Sequence, residues 1–144
     1  MNQLLFLPQG GGYLYDIDWG DGNTETGLTG DATHSYDDPG IYGVVITGDF
    51  PRIYFNNDGD KLKIKSVESW GSGAWTSFES AFAGASNLVV NTTGAPDLSG
   101  VTSLDSMFSG ATAFDGDLQS WDVSTVTDMG AMFSGTSFNH DING

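Results

Sequence analysis

The feature that most constrains this chain is a repeat near its C-terminus. Residues 97–110 (DLSGVTSLDSMFSG) return almost unchanged, 25 residues later, as residues 122–135 (DVSTVTDMGAMFSG). A weaker copy comes one unit earlier and keeps the same Phe and Gly, as Phe82 and Gly84. A fixed period of about 20–29 residues is typical of chains whose successive units stack on one another. Stacked units offer extended surfaces rather than deep clefts, so the repeat favours binding over catalysis.

The charge of the chain excludes several classes of partner. The formal net charge is −15, and the four basic residues all lie between residues 52 and 65. Nucleic acids and anionic membranes need Lys and Arg to neutralise phosphate, so we expect neither as a partner. With no cysteine, the chain has no disulfide framework, zinc ribbon or thiol nucleophile. No apolar run reaches the length of a membrane span, so membrane insertion is not expected either.

The first fifty residues have the pattern of short antiparallel strands. Residues 13–19 (YLYDIDW) alternate strictly, which predicts a strand with Tyr13, Tyr15, Ile17 and Trp19 on its inner face. The following Gly-Asp-Gly of residues 20–22 predicts a tight turn. A second strand is predicted over residues 41–47, after the Asp-Pro-Gly turn of residues 38–40.

These motifs resemble those of the polycystic-kidney-disease (PKD) domain. The segments are W-G-D-G at residues 19–22, H-S-Y at 34–36 and P-G-I-Y-G-V at 39–44. The resemblance implies an immunoglobulin-like β-sandwich over residues 1–49, of the kind found in surface proteins. Residues 1–49 are short for that family and lack its first strand, which a neighbouring molecule could donate. Such a small unit buries little surface, so we expect it to pack on the repeats through residues 50–55.

Within the repeat region, residues 50–144, we predict three units at approximately 70–95, 96–120 and 121–144. In the last unit Val126, Met129 and Phe133 recur at spacings of three and four, which predicts a short helix ending at Gly135. An extended segment follows at residues 138–142. The side chains expected inside the stack are Met107, Phe108, Trp121, Met132 and Phe133. If the units stack, Phe108 and Phe133 lie one directly above the other.

The units also resemble the BspA-like leucine-rich repeats of bacterial surface proteins. The shared pattern is W-D-V-S-x-V-T-x-M-x-x-M-F-x-G followed by F-N-x-D-I, and residues 121–142 match it nearly throughout. Residues 50–57 and 69–71 are similar to the segment that precedes such repeats. The expected fold class is therefore α+β, mostly β: a short immunoglobulin-like β-sandwich followed by a leucine-rich-repeat-like solenoid with a short helix and a strand per coil. The resemblance implies an extracellular or cell-surface adhesion protein without catalysis.

Motifs for catalysis are absent from the sequence, and we expect no enzyme and no cofactor. Calcium is the one metal with candidate ligands, because carboxylates cluster near a glycine turn and would face each other across stacked units. The candidates are Asp16, Asp18, Asp21, Asp115, Asp117 and Asp141. Stacking places Asp115 near Asn139 and Asp117 near Asp141. For His34 and His140 we expect structural roles rather than metal binding.

Two functions of different kind fit this reading. The first is non-enzymatic binding or adhesion to a protein or glycan at a bacterial surface. Trp70 and Trp75 are the candidates for stacking on sugar rings. The alternative role of these two residues is to shield the first coil. The second is a structural subunit that assembles head to tail with copies of itself, because an uncapped stack and open sheet edges invite association. Truncation of a longer protein explains the uncapped stack equally well.

Overall fold

A computed structural model of the chain describes residues 12–92 and 94–142, together with the backbone of residues 2–5. Its described residues form short strands joined by turns. The strands are β1 (Asn2–Leu5), β2 (Leu14–Asp18), β3 (Thr24–Leu28), β4 (Ala32–Ser35), β5 (Val45–Asp49), β6 (Ser66–Val67) and β7 (Val89–Val90). They make an antiparallel sheet of order β3-β2-β5, an antiparallel pair β1-β4 and a parallel pair β6-β7.

Strand β2 organises the N-terminal part, as its alternating pattern predicted. Tyr15 and Ile17 are 1 % exposed and Trp19 is fully buried, whereas Leu14, Asp16 and Asp18 face outward. The buried side chains pack with Ala32 of β4 and with partly buried residues of β3 and β5. The alternation of residues 13–19 is therefore confirmed. The second strand lies later than predicted, at Val45–Asp49 rather than residues 41–47.

The N-terminal part contains a strand that was not predicted from the sequence. Strand β1 pairs with β4, with Gln3 opposite His34 and Leu5 opposite Ala32. The expectation that the first strand is missing, so that a neighbour could donate it, is therefore wrong. The alternation that identified β2 is lacking in residues 2–5, which read N-Q-L-L.

In the C-terminal part, short segments of successive repeats lie one above another. We call them the first layer (residues 53–57), the second layer (80–84), the third layer (104–110) and the fourth layer (129–135). Amides at alternate positions of one layer donate to carbonyls of the next. Between the third and fourth layers these bonds run from Leu104, Ser106, Phe108 and Gly110 to Asp128, Gly130, Met132 and Ser134, at 2.7–3.0 Å. The second and third layers are joined in the same way from Ser80, Phe82 and Gly84.

A column of aromatic rings runs through the layers. The ring centroids of Phe82 and Phe108 are 5.7 Å apart, and those of Phe108 and Phe133 are 6.2 Å apart with nearly parallel planes. Phe55 of the first layer lies 6.4 Å from Phe82. The prediction that Phe108 lies directly above Phe133 is thus confirmed. Of the interior residues expected from sequence, Met107, Phe108, Trp121 and Met132 are buried, and Phe133 is partly buried.

Glycine forms a second column beside the aromatic one. Gly84, Gly110 and Gly135 all have φ between +72° and +75°, and Asn57 occupies the matching place in the first layer with φ +58°. A Cβ on Gly110 would lie 3.5 Å from the Cα of Gly84, so the backbones meet without side chains between them. Glycine tolerates both the left-handed conformation and this close approach.

The predicted fold class is wrong. No residue in the described ranges is helical, and the strands are only two to five residues long, so neither a helix-plus-strand solenoid nor the expected sandwich-and-solenoid combination is found. Residues 138–142, expected to be an extended segment, form no strand. The chain is a small β-rich protein with many tight turns.

Alternating hydrogen bonds explain why no helix forms at the predicted positions. In the third layer, the amides of Met107 and Ser109 close tight turns onto Leu104 and Ser106, while the amides between them donate to the fourth layer. A helix instead needs every amide to bond four residues back. Ser106 also has φ +55°, which no helical residue adopts. Spacings of three and four therefore arise here from consecutive turns.

The two parts of the chain meet around Phe50. Its ring contacts Tyr13 and Tyr15 edge-on and lies 6.4 Å from the ring of Trp75. The amide of Thr76 donates to the carbonyl of Pro51, 2.9 Å away. The predicted junction at residues 50–55 is therefore the place where the two hydrophobic clusters come together.

Candidate interaction surface

The fourth layer has a row of backbone donors with no partner in the described residues. They are the amides of Met129, Ala131, Phe133 and Gly135, which correspond to the four amides that join the third layer to the fourth. The alternate amides of Met132 and Ser134 close turns onto Met129 and Ala131, as in the third layer. The free donors therefore point along the stack in the direction in which another layer would lie. We call this side of the fourth layer the open face.

Apolar side chains accompany these donors on the open face. Leu104, Phe108 and Phe114 of the previous unit are fully buried, but their counterparts Met129, Phe133 and Phe138 are only partly buried. The rings of Phe133 and Phe138 are stacked on each other at 4.1 Å. An exposed edge of backbone donors beside apolar and aromatic side chains has the composition of a polypeptide-binding edge.

The unit that carries the open face is acidic. The last unit contains Asp122, Asp128 and Asp141, all exposed, and no Lys or Arg follows residue 65. The side-chain and backbone hydrogen bonds from Ser124 hold the pKa of the Asp122 carboxyl below its usual value, so this group stays ionised in mildly acidic solution. A cationic ligand is therefore favoured there over an anionic one.

The N-terminal calcium candidates are used as hydrogen-bond acceptors within the fold. Asp16, Asp18 and Asp21 accept from the amides of Gly27, Gly20 and Asn23 at 2.8–3.0 Å. Asp21 also contacts Nε2 of His34 at 2.7 Å, and this bond lowers the pKa of its carboxyl. Each carboxylate thus stabilises a turn or a strand contact.

His34 joins the two sequence motifs of the N-terminal part. Its ring stacks on Trp19 at 4.9 Å and meets the ring of Tyr36 edge-on. The hydroxyl of Tyr36 donates to the carbonyl of Trp19 at 2.8 Å, and burial raises the pKa of this hydroxyl. The W-G-D-G and H-x-Y segments are therefore in direct contact, which is the structural role expected for His34.

The calcium candidates of the repeat region lie on its surface. Asp115 contacts Nε2 of His140 at 3.1 Å. Asn139, and not His140, was the expected neighbour of Asp115. Asp117 accepts from the amide of Gln119 within its own turn, and Asp141 is exposed. Within the described ranges, no three or more Asp, Glu or His side chains are grouped closely enough to hold a metal ion.

The two candidate sugar-stacking tryptophans belong to the packed interior. Trp70 is 6 % exposed, and its ring meets those of Phe78, Phe82 and Trp121 edge-on. Trp75 is partly buried at the junction, with its ring 4.7 Å from that of Phe78. The face of the Trp70 ring is therefore covered by other side chains in this structure.

A shallow cavity of about 310 Å³ lies at the junction between the two parts of the chain. Its lining residues are Gly12, Gly48, Asp49, Phe50, Pro51, Gly73, Ala74 and Thr76. Asp49 is the single ionisable side chain among these residues, so the cavity lacks the paired acid and base that most hydrolytic chemistry requires.

One protein-family model matches the sequence of this chain. Residues 52–144, from the first layer to the end of the chain, match the family described as "Mycoplasma protein of unknown function, DUF285". The chain belongs to the DUF285 family. This family is related to the BspA-like repeat proteins, so the resemblance noted for the repeats is correct at that level. The match leaves out the residues that resemble a PKD domain.

Membership of DUF285 is compatible with a bacterial surface or secreted protein. A helix with the length and apolarity needed to cross a bilayer is not found in the part of the chain that the structure describes. Neither the curated proteins nor the solved structures yielded a match to this chain.

The residues that form the open face were not predicted from the sequence. Sequence patterns pointed to carboxylates and tryptophans, whereas the open face consists of backbone amides and the side chains of Met129, Phe133 and Phe138. Reading the M-x-x-M-F-x-G motif at alternate positions, as for a strand, would have placed Met129, Ala131, Phe133 and Gly135 on one edge.

Proposed function

We propose that this DUF285 chain is a non-enzymatic interaction module of a bacterial surface or secreted protein, and that it binds a polypeptide segment with the consecutive turns of a layer along the open face. The observation that carries the proposal is the row of four amides on the fourth layer that have no partner among the described residues. Their equivalents one layer earlier are all bound by backbone carbonyls, so carbonyls of this kind fit them. The ligand is therefore a polypeptide whose alternate carbonyls point to one side of consecutive turns, as those of Gly130, Met132 and Ser134 do.

The aromatic column gives this binding its specificity. Inside the stack, each layer covers the preceding Phe ring with another Phe ring, as Phe133 covers Phe108 at 6.2 Å. A segment that places an aromatic or Met side chain over Phe133 would bury its exposed part in the same way. Apolar burial contributes about 25 cal/mol per Å², so this contact is the main source of affinity, and the backbone bonds set the register.

A polypeptide ligand fits the chain better than the alternatives. Of the two tryptophans considered for sugar stacking, Trp70 is covered by neighbouring rings, whereas the partly exposed rings of Phe133 and Phe138 lie beside backbone donors spaced for a polypeptide. Catalysis and calcium binding are left out of the proposal because the carboxylates are dispersed or hold turns. Adhesion is the role that a binding face of this kind would serve at a bacterial surface. The PKD-like motifs support this setting, since they form one contact cluster around His34.

A synthetic peptide that copies the last unit, residues 121–142, with Asp122, Asp128 and Asp141 replaced by Asn to remove like-charge repulsion, is the probe for this proposal. Because it carries the carbonyls and Phe side chain of a further layer, we expect saturable binding to the 144-residue chain, measured by fluorescence anisotropy of a labelled peptide. A Phe133→Glu variant should weaken binding about tenfold or more, since it places a charge in the apolar contact.

Two controls make this experiment decisive. Ala113→Glu adds the same charge at an exposed position outside the open face and should leave peptide binding unchanged. A peptide of the same composition in scrambled order should not bind. Equal binding by the parent chain and the Phe133→Glu variant, or no binding of the ordered peptide at all, would refute the proposed function.

A further inference from the structure

Asp-Gly pairs occur at three places in the chain, at residues 21–22, 58–59 and 115–116. In such a pair the amide nitrogen of the glycine can attack the side-chain carboxyl before it, because glycine has no side chain to hinder the approach. The product is a five-membered succinimide ring, which opens to aspartate or to isoaspartate. Since the three pairs have the same sequence, the fold decides which of them is placed to react.

The carboxylate of Asp58 lies directly against the amide that would attack it. Its Oδ1 accepts a hydrogen bond from the amide of Gly59, the next residue, at 2.7 Å. Since a C–O bond is about 1.2 Å long, the carboxyl carbon lies within about 4 Å of that nitrogen. A small rotation of the side chain brings the two atoms to a separation of about 3–3.5 Å, from which such a bond forms. Both residues are exposed, and the amide of Gly59 has no backbone carbonyl as a partner among the described residues.

The carboxylates of the other two Asp-Gly pairs are held by other groups. Asp21 accepts from the amide of Asn23 at 3.0 Å and contacts Nε2 of His34 at 2.7 Å. Asp115 contacts Nε2 of His140 at 3.1 Å. These contacts have to break before either carboxyl can turn toward the glycine that follows it.

Two asparagines next to Asp58 are protected by the hydrogen bonds of the amides that follow them. The amide after Asn56 donates to the carbonyl of Ala83 at 3.1 Å, and the amide after Asn57 donates to the carbonyl of Phe55 at 2.9 Å. A nitrogen that attacks a side chain has to leave its carbonyl partner first. In this loop, therefore, the geometry favours ring formation at Asp58 and not at the asparagines.

From this contact we infer that Asp58 is a self-modification site, at which the chain converts aspartate to isoaspartate without an enzyme. The nitrogen of Gly59 forms a bond to the carboxyl carbon of Asp58. The nitrogen gives up its proton and the carbon gives up a hydroxyl group, so one water molecule leaves. Water then opens the ring: cleavage of the bond to the side-chain carbonyl restores aspartate, and cleavage of the bond to the backbone carbonyl gives isoaspartate.

The modification changes the backbone at the end of the first layer. Isoaspartate adds one methylene to the main chain directly after Asn57, whose amide joins the first layer to the second. This chemistry does not depend on binding at the open face, so the inference and the proposed function stand or fall separately.

Incubation in oxygen-18 water measures ring opening at each pair separately, because hydrolysis of the ring adds one oxygen atom from water. The intact chain is incubated at about pH 5, where an ordinary Asp carboxyl is partly protonated and loses its hydroxyl group more readily. Trypsin in ordinary water then places the three pairs on separate peptides, residues 1–52, 53–61 and 66–144, because the basic residues are at 52, 61, 63 and 65. Mass spectrometry with electron-transfer fragmentation locates the label and the isoaspartate.

In the folded chain, we expect at least about tenfold more label at Asp58 than at Asp21 or Asp115, which corresponds to a barrier lower by about 1.4 kcal/mol. Unfolding in urea removes the contacts of all three pairs, so they should then react at similar rates, with Asp58 no faster than in the folded chain. Equal labelling of the three pairs in the folded chain would overturn the inference. Labelling of Asp58 that rises on unfolding would also overturn it.

Two substitutions at position 58 test whether the label comes from ring formation. At about pH 7.5 a carboxylate is ionised and reacts slowly, whereas Asp58→Asn forms the same ring by releasing ammonia and should convert several-fold faster than the parent chain. Asp58→Glu needs a six-membered ring and should lose the label from residues 53–61. Position 58 is exposed, so both variants should keep the circular dichroism spectrum of the parent chain. Persistent label in Asp58→Glu, or no conversion of Asp58→Asn, would contradict the inference.

Discussion

Replacing Phe108 by Ala should destabilise the chain by about 4 kcal/mol, because the ring is fully buried and stacked between neighbours above and below. The same substitution at Phe133 should cost roughly half as much, since its ring is only partly buried on the open face. Urea unfolding followed by circular dichroism measures both. The pair is matched, because the two residues occupy the same position in successive repeats.

The difference between these two variants is more informative than either value. At this chain length about 2 kcal/mol corresponds to roughly 5 °C in melting temperature, which is readily resolved. Equal losses for Phe108→Ala and Phe133→Ala would mean that Phe133 is as well covered as Phe108. The open face would then not exist in solution.

Replacing Gly20 by Ala should strongly destabilise the N-terminal part. Gly20 has φ +79°, and a Cβ there would lie 2.5 Å from the carbonyl oxygen of Gly43 and 3.0 Å from its nitrogen. A left-handed Ala costs about 1–2 kcal/mol, and forcing two backbone segments apart adds about 1–3 kcal/mol. We expect a total loss of about 3 kcal/mol, measured by thermal unfolding in the near-ultraviolet, where Trp19 and its aromatic neighbours contribute.

Gly22 is the control for this prediction. It has φ +94°, but a Cβ on it would meet no atom within 4 Å. Gly22→Ala should therefore show only the conformational cost of about 1–2 kcal/mol. Similar losses at the two positions would show that the close approach of residues 20 and 43 does not contribute, and the packing described for the W-G-D-G turn would be incorrect.

The parts of the fold that depend only on which side chains are buried were predicted correctly from the sequence. Alternation gave the inner face of β2, because burial of Tyr15, Ile17 and Trp19 requires a strand. The 25-residue period gave the Phe column, because like side chains pack on like when equivalent units stack. Gly135, which was expected to end a helix, has the left-handed conformation of such a position, with φ +72°, although no helix precedes it.

Backbone choices that side chains do not reveal were predicted incorrectly. Spacings of three and four suggested a helix, but consecutive tight turns give the same spacing. The decisive feature is the positive φ of Ser80, Ser106 and Ala131, residues that do not usually adopt it. The first layer escaped notice as a unit because Asn57 replaces the glycine of the later repeats.

The sequence suggested that the last unit is uncapped, but the groups that form its open face were missed for a related reason. An amide on the edge of the stack is free only because no further layer lies beside it. No residue type in the sequence marks such an amide. Met129 and Phe133 occupy the same repeat positions as Leu104 and Phe108. Only the structure shows that Leu104 and Phe108 are covered and that Met129 and Phe133 are partly exposed.

Amide hydrogen exchange, read residue by residue by NMR on dilute, monomeric chain, tests the central claim most directly. The amides of Leu104, Ser106, Phe108 and Gly110 are bonded to the fourth layer and should exchange at least about a hundredfold more slowly than those of Met129, Ala131, Phe133 and Gly135, as expected when one set is hydrogen-bonded and the other free. Equal protection of the two sets would contradict the stacked layers with an open face.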